Sequence, residues 1–367
     1  MKILFITLEE SAKQNLSSIL DHPFLKENYT NVFTFGMSEM KLSYNDLTNM
    51  PLKSIMGFTK ILTNLFYIYK LRSKLHEIIS SYNFTHIFFI DSFDFTRFYL
   101  KRYKNNHIRY CQIIGPSVFL WNKKKANFIN ENLDHIFSIF DVEKKYYLSE
   151  KYSYIGHPLL DRVNIRKHKN FNISNIGFFL GSRDQEITVN LPIIKDLIIK
   201  LNKHYALNFF LYTTPSYYQF LIEEFSNFKS LKIFLNDDNY YKSLSNLDFA
   251  FACSGTVHLE LSFSHIPHFI FYKTSIINYL FVKLFIKIRF ISLINIFNKK
   301  EIVHEFIQQK FTVNNLYKAF NDFKNNEKIY SGYIKELQFY LIKSNFKKLN
   351  QNLIIDYLKK SSLATRD

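Results

Sequence analysis

Two kinds of residue in this chain could do chemistry: carboxylates that end apolar runs, and small hydroxyl or glycine turns that open helices. The run Phe249-Ala250-Phe251-Ala252-Cys253 stops at Ser254-Gly255-Thr256, and apolar residues return at helical spacing from Val257. That pattern predicts a buried parallel strand, a tight turn and the first turn of a helix. The first N–H groups of a helix lack internal partners, and its dipole favours negative charge there. Gly255 would let an anion approach the backbone, and Ser254 and Thr256 add hydroxyl groups. Glu260, a turn further on, could accept hydrogen bonds from a ribose. The same residues also fit an ordinary strand-to-helix turn capped by Ser or Thr.

A second turn of this kind, Gly181-Ser182-Arg183, follows Ile176–Leu180 and carries a guanidinium, which binds phosphate bidentately. Arg183 could instead pair with Asp184 or Glu186 on the surface, which contributes little. Asp91 ends the run His86–Ile90, where a strand-end carboxylate can take the proton of an attacking hydroxyl. The alternative for Asp91, and for Asp94, is to cap the helix that follows.

These residues need elements to hold them. Lys2–Thr7, Asn31–Phe35, His86–Ile90, Arg109–Ile114 and His135–Ile139 read as strands with helical stretches between them. A polar, basic linker near Arg162–Asn175 leads to a second series, Ile176–Leu180, Asn208–Tyr212, Lys232–Leu235, Leu247–Ala252 and His268–Phe271. Alternation of this kind predicts an α/β protein with two Rossmann-like parallel-sheet domains, over residues 1–165 and 166–345, and a helix and tail over 346–367. Ligands of such sheets bind beyond the carboxyl ends of the strands. The loops Leu8–Lys13, Asp91–Thr96 and Gly115–Trp121 should therefore line one cleft.

Composition narrows the partners. Net charge is +17, which admits nucleic acid, anionic membrane or an acidic substrate. No nucleic-acid-binding motif accompanies the charge, so nucleic acid is not expected. Forty Phe, twenty-five Tyr and only eight Gly look like a biased genome composition as much as a functional choice. Cys111 and Cys253 sit in apolar runs and read as buried thiols, with no disulfide framework and no metal cluster. The opening Met1–Thr7 is too short for a signal-peptide core, and no uncharged apolar span is long enough to cross a bilayer. A cytoplasmic protein follows.

Further short motifs accompany the two turns: Gly115-Pro116-Ser117-Val118-Phe119-Leu120-Trp121, Tyr154-Ile155-Gly156-His157-Pro158-Leu159, Pro267–Lys273, Phe290–Asn295 and Glu301–Gln308. In order and separation the set resembles the lipid-A-disaccharide synthase family, from about the first strand to about residue 320. The resemblance implies a GT-B fold, with two Rossmann-like domains facing a cleft and C-terminal helices crossing back. It implies an inverting hexosyltransferase of lipid A biosynthesis, joining a UDP-activated acylated glucosamine donor to an acylated glucosamine 1-phosphate acceptor, with release of UDP. No cofactor or metal is expected. Asp91 matches the candidate base, and Arg183 is the residue expected against the diphosphate. The donor set implied is Gly181, Ser182, Arg183, Ser254, Gly255, Thr256, Glu260, Asn295, Glu305 and Gln308; the acceptor set is Glu9, Ser11, Asp94 and Ser117. His157, before a proline, fits either a ligand contact or a structural role.

The first loop departs from the family pattern, with Leu8, Ala12 and Lys13 in place of two glycines and an aspartate. Lys13 is expected in solvent. Two basic, apolar stretches, Ser54–Leu75 and Tyr279–Lys300, fit either core helices or contact with an anionic bilayer. A lipid substrate implies a peripheral place on the inner face of the inner membrane, and a homodimer is compatible with it. Alternative readings are a silent membrane-bound relative and another UDP-sugar transferase or an epimerase.

Overall fold

The computed structural model describes residues 1–37, 44–48, 65–119, 124–166, 171–235, 239–274 and 289–363. Trp121, residues 54–64 of the first basic stretch and residues 279–288 of the second lie outside them. The chain forms two compact units, Met1–Pro158 with Lys347–Asp367, and Leu159–Phe346.

The first unit is built on a seven-stranded sheet of order β3-β2-β1-β4-β5-β6-β7, parallel throughout. Its strands are β1 (Ile3–Thr7), β2 (Val32–Phe35), β3 (Asn45–Asp46), β4 (His86–Ile90), β5 (Arg109–Ile113), β6 (His135–Ser138) and β7 (Tyr152–Tyr154). The strands β1, β2 and β4 are buried on both faces, which explains why they read as unbroken apolar runs and not as alternations. One face packs on the helices Leu65–Tyr82 and Phe93–Tyr103 through Leu71, Leu75, Tyr99 and Leu100. Against the other, Phe5, Phe88 and Phe137 form a chain of ring contacts that ends on Tyr357 of the last helix, Asn352–Leu363. That helix is fastened by His86 Nε2 with Ser361 Oγ at 2.8 Å and by His22 Nε2 with Asn352 Oδ1 at 3.0 Å. The C-terminal segment thus returns to the first unit.

The second unit repeats the plan. Its six-stranded parallel sheet has the order β10-β9-β8-β11-β12-β13, from β8 (Asn175–Phe179), β9 (Asn208–Thr213), β10 (Leu231–Leu235), β11 (Phe249–Cys253), β12 (His268–Tyr272) and β13 (Glu305–Ile307). Phe249 and Phe251 pack by their rings on Phe269 and Phe320, so a cluster of rings sits among the branched aliphatics of this core. Asp248 holds both ends of the linker: Arg166 pairs with it, and its other oxygen accepts from the amides of Ser174 and Asn175 at 2.9 and 2.8 Å. Cys111 and Cys253 are buried free thiols. Among the described residues no helix is long and apolar enough to cross a membrane. The short strands β3 and β7 and the edge strand β13 escaped the sequence reading, because two or three residues carry no periodicity.

In each sheet the strand order reverses once, between β1 and β4 in the first unit and between β8 and β11 in the second. Such switch points open a crevice at the carboxyl ends of the strands.

Candidate active site

In the first unit the switch is flanked by Leu8–Glu9 after β1 and Asp91–Ser92 after β4. Asp91 and Ser92 both take left-handed backbone angles, φ 55° and 42°, although neither is glycine. The Asp91 side chain is half-buried, and one of its oxygens accepts the Ser92 amide at 3.0 Å. Burial pushes its carboxyl above the usual range, and the Ser92 bond pulls it part of the way back. Across the switch, Ser92 Oγ donates to Glu9 Oε1 at 3.4 Å. Asp91 is therefore no helix cap: Ser92 occupies that position, and the helix Phe93–Tyr103 starts without a side-chain cap.

The other acceptor-side residues are distributed less tightly. Asp94 is exposed and holds Lys125 Nζ at 2.8 and 2.9 Å, so it neither caps nor faces Asp91's partners. Ser117 is half-buried in the turn after β5. Ser11 lies in a helix and not a loop, since Glu10–Leu20 is already helical; Leu8 and Ala12 are buried, at 7% and 0% exposure. No residue from Leu8 to Lys13 has positive φ, so the stretch does not need glycine. Lys13 corrects the sequence reading: it is buried, 8% exposed, and not in solvent. Beside the Ser117 turn, Glu143 is buried, accepts Ser138 Oγ at 2.5 Å and also meets the Val118 amide; burial raises its carboxyl to about 7.

In the second unit the switch is flanked by Gly181–Arg183 after β8 and Ser254–Thr256 after β11. Gly181 has φ +106°, and a Cβ there would lie 2.5 Å from Glu186 Oε2. The Glu186 carboxylate accepts the amides of Ser182 and Arg183 at 3.0 and 3.3 Å and pairs with Arg183 Nη1 at 2.6 Å. That closes the first turn of Asp184–His204 as a capping box would. Arg183 itself stays 58% exposed. Gly255 has open space where a Cβ would stand, and Ser254, Gly255 and Thr256 are accessible. Asn190 spans the switch from below, its Nδ2 donating to Leu180 O at 2.8 Å and contacting Cys253 Sγ at 3.5 Å, while its buried Oδ1 has no protein partner.

Glu260 is buried and accepts the hydroxyls of Tyr240 and Tyr241 at 2.6 and 3.3 Å. Burial raises its carboxyl, and the two tyrosines oppose that. Asn295 and Glu305 are turned inward. Asn295 Oδ1 accepts the amides of Ile302 and Val303 at 2.8 and 2.9 Å, and its Nδ2 donates to Val303 O and Glu305 Oε1 at 2.7 and 2.8 Å. Glu305 in turn accepts the amides of Ile291 and Ser292 at 2.9 and 2.8 Å. Asn295 thus holds the Ile302–Val303 segment and Glu305 the start of the helix Leu293–Asn298. Gln308 is different: it has φ 54° at the end of β13, and its buried Nε2 has no protein partner.

His258 ties the Ser254–Thr256 turn to the start of the helix Leu293–Asn298. Its Nδ1 contacts Gly255 O and its Nε2 accepts Leu293 N at 3.2 Å, which fixes a neutral ring with the proton on Nδ1. Burial holds its pKa down at about 4. His157 donates its backbone amide to Lys347 O at 2.7 Å and its ring lies 5.5 Å from that of Phe140. Gln112, Asn190 and His258 escaped the sequence reading as site-building residues, while Glu186 forms the pair with Arg183 that the sequence offered as the alternative. A polar side chain inside a buried run was the available signal for Gln112, because such a group must find partners. Among the described residues no three His, Cys, Asp or Glu side chains gather as a metal site would require.

Two parallel-sheet units with acidic and anion-suited turns at their switch points define the GT-B class. Solved structures agree: a UDP-GlcNAc 2-epimerase from Neisseria meningitidis, bound to UDP-GlcNAc, aligns with TM-score 0.60 at 12% identity over 98% of this chain and 100% of its own. MurG from Acinetobacter baumannii aligns with TM-score 0.57 at 9% identity over 98% and 100%. A model of the lipid-A-disaccharide synthetase family matches residues 3–356, and the chain belongs to that family. A lipid-A-disaccharide synthase of Campylobacter jejuni strain RM1221 is 31% identical over 87% of this chain and 90% of its own. One of Aquifex aeolicus is 28% identical over 90% and 92%.

Proposed function

We propose that this chain is an inverting glycosyltransferase that joins UDP-2,3-diacylglucosamine and 2,3-diacylglucosamine 1-phosphate into a lipid A disaccharide 1-phosphate plus UDP. The observation that carries the reading is the carboxylate elbow at the switch point of the first sheet, in a chain that matches this family almost end to end. Asp91 accepts the proton of the acceptor 6-hydroxyl as that oxygen bonds to the anomeric carbon. A carboxyl whose pKa is raised by burial is a stronger base once ionised. The bond from the anomeric carbon to the UDP oxygen breaks in the same step, and its electron pair leaves with UDP.

The leaving diphosphate meets Arg183 and the turns Ser182 and Ser254–Thr256. A guanidinium has five N–H donors, so Arg183 can serve Glu186 and a phosphate together. Donors fixed before the reaction stabilise charge as it develops, without reorganisation. Gln308 contributes a buried amide with no protein partner, and Glu260 stands below a ribose site with its tyrosines. Asn295 and Glu305 shape the site from behind. The lipid substrates make a peripheral position on the inner membrane surface part of the proposal, supported by the +17 charge.

UDP release, with and without the lipid monosaccharide phosphate, tests the reading. Release only when both substrates are present is expected. Release without acceptor, or none with it, would point to a different acceptor or a silent relative.

A further inference from the structure

Gln112 is the one amide side chain in the middle of β5, and it is fully buried. All of its polar atoms have partners. Its Oε1 accepts Thr96 Oγ1 at 3.0 Å, and the backbone carbonyls at the other end, which only accept, settle which way the amide faces. Its Nε2 donates to Asp91 O at 2.7 Å and to Ile114 O at 3.1 Å, with Ile113 O at 3.4 Å. The first two carbonyls belong to residues with left-handed backbone, φ 55° at Asp91 and 60° at Ile114. The amides of these residues stay in the sheet, Asp91 N on Ile113 O and Ile114 N on Phe137 O, both at 2.9 Å. Their carbonyls meet the Gln112 amide instead of a neighbouring strand, and a C=O turned inward needs such a donor. Without the Gln112 amide, both would lose that donor, and a residue such as Ile114 has no local reason to hold positive φ.

We propose that Gln112, oriented by Thr96, is a positioning residue that fastens the elbows after β4 and β5 and so aims the Asp91 carboxylate. The proposal rests on Asp91 being the base. One amide thus sets the Asp91–Ser92 turn and the Ile114–Ser117 turn relative to each other, and both are acceptor-side. A loosened elbow leaves the carboxylate present but misaimed. Geometry of this kind acts on the chemical step, where a shift of about 1 Å can cost on the order of 10²-fold.

The test is a cycle of single-turnover rates with Gln112→Leu, Thr96→Val and Thr96→Ser, each in the parent chain and in Asp91→Asn, alongside equilibrium UDP binding. Gln112→Leu should lower the chemical rate about 10- to 10²-fold with acceptor KM and UDP affinity little changed. Thr96→Val should act in the same direction less strongly, and Thr96→Ser should return most of that loss. In Asp91→Asn, neither Gln112→Leu nor Thr96→Val should cost anything further, because the group they aim is gone. If Gln112→Leu does not fold, Thr96→Val carries the same cycle. Unchanged rates in both variants, or equal losses with and without the Asp91 carboxylate, overturn the positioning role. A fully active Asp91→Asn protein overturns the base instead, and the two failures are told apart by that single variant.

Discussion

The two units solve the same problem with different chemistry. Each must bend its chain sharply where a strand leaves the sheet beside the switch point. In the second unit the bend after β8 uses Gly181, at φ +106°, and the turn after β11 uses Gly255, open to solvent. In the first unit Asp91, Ser92 and Ile114 take positive φ themselves, at a cost on the order of 1–3 kcal/mol each. Their conformation persists because buried groups elsewhere, Gln112 above all, satisfy the displaced carbonyls. A glycine turn is locally permitted and can be read from its letters. An elbow of non-glycine residues is imposed by tertiary bonds, and it holds side chains where glycine would hold none. That difference suits their proposed tasks: backbone and guanidinium for a phosphate in one unit, an aimed carboxylate in the other.

Removing the carboxylate should break the comparison hardest. Asp91→Asn should lower turnover by about 10²–10⁴-fold while UDP affinity, measured by calorimetry, stays as it was. A protein that loses both together would place Asp91 in donor binding. In the second unit the largest effect should be on folding. Asn295→Ala strips partners from two amides and from Val303 O, and leaves Glu305 short of a donor. A loss of about 2–4 kcal/mol in urea unfolding is expected.

A matched pair sharpens the contrast between the bends. Gly181→Ala should destabilise by about 1–3 kcal/mol, since positive φ and the Glu186 carboxylate both oppose a methyl. Ser92→Gly should be neutral or stabilise by up to about 1 kcal/mol, because it relieves φ 42° and gives up one long bond to Glu9. Equal losses at both positions would show that neither conformation is held as described.

The last contrast is a change of pH slope. Glu143 is buried in the first unit with its carboxyl raised to about 7, against about 4.5 for an ordinary glutamate. The folded state binds the extra proton across that window, so this group favours folding at low pH and its contribution is lost as pH rises towards 7. Glu143→Gln should therefore gain stability relative to the parent between pH 5 and 8. Buried His258, held at about 4, works the other way: the unfolded chain takes up its proton first, so stability falls as pH drops from about 6.5. Unfolding midpoints of parent and Glu143→Gln at several pH values separate the two slopes.

Much was legible in the letters. Short unbroken apolar runs such as Ile3–Thr7 and His86–Ile90 read as strands buried on both faces, and their alternation with helices points to parallel sheets. The strand ends at Asp91, Gly181–Arg183 and Ser254–Thr256 followed from where those runs stop, and the family's short motifs lie at the same points. What each polar group does once there was a matter of tertiary neighbours. Asn295 and Glu305 look like ligand residues in a motif, yet they bond each other and the backbone of Ile302–Val303 and Ile291–Ser292. Lys13 reads as a surface lysine, but the first strand leads straight into a helix that buries it. Gln112 drew no notice among apolar neighbours, and only folding brings it under two carbonyls that left-handed residues turn out of the sheet. Hydrophobic periodicity is a property of nearby residues and survives in the sequence; the pairing of a buried donor with a distant acceptor is decided by packing, which brings together residues with no periodic relation.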